Sequence, residues 1–84
     1  MKRPTIYKLI GAERTRQATK WQMSHDWGQG DCSSASVAPT TKVAVLLEEA
    51  GEVARAVLDL DNDSLRAELV QVAAVAIAWL EGID

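Results

Sequence analysis

The chain has one cysteine, one histidine, two prolines and no phenylalanine among its 84 residues. A lone cysteine excludes an intramolecular disulfide and fits a reducing, cytoplasmic setting better than a secreted one. Cys32 has no histidine or second cysteine at metal-ligand spacing, so it is given no role. Long apolar runs are also missing. The longest, Val72 to Leu80, spans nine residues, far short of the ~20 needed to cross a bilayer. The basic start Met1-Lys2-Arg3-Pro4 leads into no apolar signal-peptide core, and the expectation is a cytoplasmic protein without a membrane partner. No internal repeat and no low-complexity segment is visible.

A chain this short buries only about 60–65% of its unfolded surface. The sequence therefore predicts a single domain, 1–84, that gains stability by oligomerising, as a dimer or a tetramer. Charge is plentiful and unevenly placed. Residues 1–24 hold six Lys/Arg and one acid, a balance of +5, and residues 25–84 hold three basic and eleven acidic residues, a balance of −8. A basic first segment beside an acidic one suits an anionic ligand that carries a metal. The same distribution also arises where the two ends simply attract each other. Nucleic acid is the less favoured partner, since the net charge is −3 and no recognised binding motif accompanies the basic residues.

The pattern predicts an all-α fold with three main helices. Pro4 near a first turn and the apolar positions Ile6, Leu9, Ile10 and Trp21 place helix 1 at about residues 4–24, and the Gly- and Ser-rich stretch 25–39 reads as a loop. Thr40 or Thr41 can cap helix 2, about 41–60, whose residues Val43, Leu46, Leu47, Ala50, Val53, Ala54, Val57 and Leu58 form one wide stripe. The short turn Asp61-Asn62-Asp63-Ser64, with a cap among its last residues, joins it to helix 3, about 64–81, in an antiparallel hairpin. From Val72 onward helix 3 is apolar on every side, and such a helix must be buried all round. A second copy completing a four-helix-bundle core would cover it.

The chemistry concentrates in Glu48, Glu49 and Glu52 on helix 2 and Glu68 on helix 3. Residues three and four apart share a helix face, so Glu52 points the same way as Glu48 and Glu49. Glu68 lies in line with Val72, Val75 and Trp79. A carboxylate on an apolar stripe is costly unless it is paired or ligates a metal. The pairing alternative has Arg14, Arg55 or Arg66 as partner. The metal alternative is a hard cation such as Mg²⁺, which takes oxygen ligands of this kind.

The run Leu47-Glu48-Glu49-Ala50-Gly51-Glu52-Val53, followed by Glu68-Leu69-Val70-Gln71, resembles the MazG-like nucleoside triphosphate pyrophosphohydrolases, with their pattern E-E-x-x-E, a spacer, then E-x-x-D. The stretch Glu13-Arg14-Thr15-Arg16-Gln17-Ala18-Thr19-Lys20-Trp21 is similar to the E-R-x-R-Q-x-x-K-W run of small phage- and mobile-element-type members. The resemblance implies cleavage of a (deoxy)nucleoside triphosphate to the monophosphate and pyrophosphate on a dimeric helical bundle, with Mg²⁺, or Mn²⁺ in its place. It implies Glu49, Glu52 and Glu68 as metal ligands, with Glu48 or Glu52 taking a proton from water. Where the family pattern has its final aspartate this chain has Gln71, whose amide oxygen can ligate a metal but adds no charge and is no base. That departure leaves a non-catalytic nucleotide-binding or protein-interaction module as the alternative function.

The substrate contacts expected are Arg14, Gln17, Lys20, Trp21 and Trp27. Arg14, Arg16 and Lys20 bring positive charge suited to phosphates. Trp21 either stacks on a base or belongs to the core, the latter being commoner for a tryptophan at apolar spacing, and Trp79 is a core residue. Trp27, in the loop opened by His25, is a candidate for a lid or base contact.

Overall fold

The computed structural model describes residues 1–83 and contains three long helices joined by one loop and one tight turn. They are α1 (Arg3–Lys20), α2 (Pro39–Leu58) and α3 (Asn62–Glu81), with a minimal antiparallel hairpin of β1 (Ser24–His25) and β2 (Gly28–Gln29) inside the loop. The all-α expectation holds. α3 is the central element. It packs against α2 along the hairpin and against α1 on its other side, and α1 and α2 make no direct backbone contact. Among the described residues, no helix is long and apolar enough to cross a membrane.

The helix boundaries differ from the sequence expectation, each for a local reason. α1 stops at Lys20 rather than near residue 24, because Trp21 leaves the helix to meet the rings of His25 and Trp27 at centroid distances of 5.2 and 6.5 Å. α2 begins at Pro39, two residues before the expected start, and no threonine caps it. Ala38 is the N-cap without a side-chain bond, and the fixed φ of Pro39 already suits a first helical position. α2 ends at Leu58 because Leu60 turns into the left-handed region at φ 55°. The amides of Leu60 and Asp61 then bond back to the carbonyls of Val57 and Ala56, at 3.1 and 3.0 Å. That is the Schellman closure, here with leucine where glycine is usual. The cap of α3 is the first residue of the acidic turn rather than one of its last. Asp61 accepts from the Ser64 amide at 3.0 Å and from its hydroxyl at 2.7 Å.

The loop 25–39 is not structureless. Ser36 accepts from the Gln29 amide at 2.8 Å and donates to the Gln29 carbonyl at 2.7 Å, so its hydroxyl stands in for a third strand. Gly28, at φ +129°, is required at the hairpin, since a Cβ there would lie 2.6 Å from the Ser36 carbonyl oxygen. Gly82 makes a similar close approach where α3 ends. A Cβ on it would lie 2.6 Å from the Ser33 carbonyl oxygen.

The core is made of small residues. Cys32, Val75 and Ala78 are buried together, with Val45 and Leu46 packed against them. The burial of α3 on all sides is not achieved within one chain. Ala74, Val75 and Ala78 are buried, whereas Leu80 is 67% exposed and Trp79 only half-buried. Leu47, Val57, Leu58 and Leu69 are exposed on the hairpin as well. Two helices flanking a third cover only part of its circumference.

Candidate active site

The stripe of α2 that faces α3 carries Val45, Leu46 and then Glu49, and α3 answers with Glu68 one helical stretch before Val75. Both glutamates are half-buried, and each has one oxygen, Oε2, buried without any hydrogen-bond partner. Among the described residues, none of the candidate arginines forms a salt bridge with Glu49 or Glu68, and Arg55 is exposed without one. Arg14 pairs with Asp31 and Glu81, Arg16 with Glu13, and Arg66 weakly with Asp63. Burial pushes the Glu49 carboxyl above its ordinary range, and the charges of Glu68, Glu48, Glu52 and Glu13 push it further. A lone buried oxygen among like charges is unfavourable for the chain by itself.

Above this acidic floor opens a cavity of about 240 Å³. One end is aromatic. Trp21, His25 and Trp27 meet edge-on or tilted, and the Lys20 ammonium lies 5.1 Å from the centre of the Trp21 ring. His25 organises this end. Its Nε2–H donates to the Gly30 carbonyl at 2.7 Å, and its Nδ1 accepts the Trp27 amide at 3.3 Å. One side is cationic, with Arg16 and Lys20, and the side opposite is acidic, with Glu48 and Glu49. Gln17 and Gln71 close the α1–α3 seam, where the buried Gln17 amide donates to the Gln71 carbonyl at 3.5 Å. A volume below the ~300–1,000 Å³ of common ligand pockets suits a planar ring, with a longer charged chain lying along the open side.

Seven residues singled out by the sequence pattern therefore line one cavity: Gln17, Lys20, Trp21, Trp27, Glu48, Glu49 and Gln71. Trp21 is half-buried in its wall rather than in the core. Glu52 is exposed and Glu68 faces Glu49 beneath the cavity, so neither lines it. Arg14 does not line it either. Its guanidinium bonds Asp31 at 2.5 Å and Glu81 at 2.6 Å, tying α1 to the loop and to the end of α3. Asp31 is held further by the Ser33 amide and hydroxyl, at 2.9 and 2.6 Å. Burial alone would raise the Asp31 carboxyl, but the Ser33 and Arg14 bonds bring it below its usual range. This clamp has no local signal in the sequence, because its members lie 17 and 67 residues apart. Arg16, read only as general positive charge, proves to line the cavity.

A divalent cation suits the floor by donor chemistry. Two hard oxygen atoms are buried and unpartnered, in surplus negative charge that a cation would relieve. Among the described residues, no three His, Cys, Asp or Glu side chains are gathered closely enough to hold an ion. Glu49 and Glu68 thus begin a donor set without completing it.

A family model described as the MazG nucleotide pyrophosphohydrolase domain matches residues 37–79, just over half of the chain. The matched span contains α2 and nearly all of α3, and with them Glu48, Glu49, Glu52, Glu68 and Gln71. Comparison with curated proteins and with solved structures gave no match.

Proposed function

The chain belongs to the MazG nucleotide pyrophosphohydrolase domain family, and we propose that it is a divalent-cation-dependent hydrolase that converts a (deoxy)nucleoside triphosphate to the monophosphate and pyrophosphate. The observation that carries this reading is the pair of unpartnered, buried carboxylate oxygens of Glu49 and Glu68 beneath a cavity with aromatic and cationic walls. The base stacks at Trp21 and Trp27, a contact worth about 1–3 kcal/mol per base in single-strand recognition. Arg16 and Lys20 hold phosphate oxygens, Arg16 with a two-pronged grip and Lys20 as a point charge. Gln17 keeps α1 in register with α3 and presents Gln71 at the seam.

Glu49 and Glu68 would hold Mg²⁺, or Mn²⁺, with Glu52 and the amide oxygen of Gln71 as further ligands. When bound, the ion neutralises phosphate charge and makes a water more acidic. Water oxygen then adds to a phosphorus flanking the α–β bridging oxygen. That phosphorus–oxygen bond breaks, and its electrons leave with the bridging oxygen on the other product, which is pyrophosphate for attack at the α-phosphorus and the monophosphate for attack at the β-phosphorus. Glu48, exposed and on the cavity wall, takes the water proton as general base, with Glu52 as the alternative. Release of pyrophosphate from a panel of NTPs and dNTPs, with and without Mg²⁺, tests the assignment. Turnover that requires Mg²⁺ and vanishes in Glu49→Gln supports it. No turnover of any nucleotide, with Mg²⁺-nucleotide still raising the melting temperature, would establish the non-catalytic module, which the charge-free Gln71 favours.

Assembly with a second copy belongs to the same proposal. Leu47, Leu58, Leu69 and Leu80, all more than half exposed, leave on the hairpin an apolar surface that a bundle of two chains would cover. Light scattering at micromolar concentration should give at least twice the 9.1 kDa chain mass, and a monomer there would refute it.

A further inference from the structure

Resting on the reading of Glu49 and Glu68 as cation ligands, we propose that Glu13 is an additional carboxylate for that cation, held away from it by its ion pair with Arg16. α1 is polar along most of its exposed length, yet Glu13 is drawn inward until its side chain is 12% exposed, while Arg16 stays 53% exposed. The guanidinium grips both carboxylate oxygens, Nε to Oε1 at 2.8 Å and Nη2 to Oε2 at 2.6 Å. Arg16 also stands at a partition. It lines the cavity above Glu49, and it lines a second groove between α1 and α3 whose walls include Glu13 and Gln71. Arg16 and Gln71 thus separate the groove that holds Glu13 from the cavity above Glu49.

Three facts make a move of Glu13 toward the acidic floor chemically reasonable. The floor has two orphaned oxygens and no third acid gathered to them. Gln71, one turn beyond Glu68, contributes an amide without charge. Glu13 already acts electrostatically on Glu49, and Glu49 on Arg16, so all three groups share one field. A guanidinium grips phosphate with the same fork it uses for carboxylate. An incoming polyphosphate thus competes with Glu13 for Arg16. Once released, a mostly buried carboxylate beside Glu49 is unfavourable unless a cation compensates it. Cation and anionic ligand then reinforce each other, as two ligands that stabilise the same unlocked arrangement must.

The test is Mn²⁺ binding to the whole protein without nucleotide, followed by the electron paramagnetic resonance signal of the free ion. Arg16→Met opens the lock and should tighten Mn²⁺ binding by about tenfold, within the range found when partners around a metal site are changed. Adding Glu13→Gln to that variant should abolish most of the gain. Arg16→Gln, nearer in shape, replaces Arg16→Met if the latter does not fold. A gain that survives Glu13→Gln reports only the removal of a positive charge and overturns the proposal, as does the absence of any gain. Glu49→Gln and Glu68→Gln separate this failure from a deeper one. If they leave Mn²⁺ binding intact, the cation reading of the floor fails; if they abolish it while Glu13→Gln changes nothing in the Arg16→Met background, only the role of Glu13 fails.

Discussion

Glu49→Gln should stabilise the protein when no divalent cation is present and make it the less stable form when one is. In the chain alone, Glu49 has a buried oxygen without a partner and four other carboxylates acting on it. An unsatisfied buried group costs about 1–3 kcal/mol. Glutamine removes the charge but keeps one polar atom in place, so roughly 1 kcal/mol should be recovered. For a domain of this size that amounts to about 4–8 °C in melting temperature. Mg²⁺ at a hundred times its dissociation constant adds about 2.7 kcal/mol to a protein that binds it. That exceeds the gain from the substitution. Thermal unfolding followed by circular dichroism should therefore rank the variant above the wild type in EDTA and below it in saturating Mg²⁺. A variant less stable in EDTA, or an equal Mg²⁺ shift in both proteins, would refute the reasoning. The first outcome would mean that Glu49 has a partner in solution, and the second that the cation binds elsewhere.

Arg14→Met should cost about 3 kcal/mol, because it strands the carboxylate of Asp31, 8% exposed, without its guanidinium; urea unfolding checks this, and a loss below about 0.5 kcal/mol would show the clamp to be idle. Trp27→Ala should raise KM for the best nucleotide by about tenfold with kcat less affected, as expected for the loss of one stacking surface; steady-state pyrophosphate release distinguishes this from a catalytic defect. The pH dependence has a definite sign. From the ordinary value of about 4.5 up to its raised value, the folded Glu49 holds a proton that the unfolded chain has released, so stability falls as pH rises through that window. Asp31 works in the opposite sense, contributing stability above its ordinary value of about 3.8 and losing it as pH falls through the lowered folded value. Melting temperatures against pH in EDTA should show the Glu49 decline, and Glu49→Gln should flatten it.

The helices were legible because the stripe from Val43 to Leu58 and the apolar run from Val72 repeat at helical spacing over many residues. Their ends were not, because a chain end depends on one or two backbone conformations. A leucine at φ 55° and an uncapped start at Pro39 leave little trace in composition. The acidic floor was readable from Glu48, Glu49, Glu52 and Glu68, since their spacing sets which helix face each occupies. Which of them lines the cavity was not readable, because that depends on the angle at which α3 crosses α2. The loop was the least legible part. Its order comes from Ser36 bridging both backbone groups of Gln29 and from His25 joining Gly30 to Trp27. Neither serine nor histidine announces such a role in a stretch without periodicity. Arg14 was drawn toward phosphate by its charge alone, whereas Asp31 and Glu81 claim it only once the chain has folded.

The contact at Gly82 makes the far tip of α3 a mechanical stop for the loop. With the Ser33 carbonyl seated against bare backbone and Arg14 strapping Asp31 to Glu81 beside it, there is no slack between the two. A side chain at position 82 would act as a wedge, shifting Cys32 and the wall it belongs to from a point fourteen residues along the chain from Glu68.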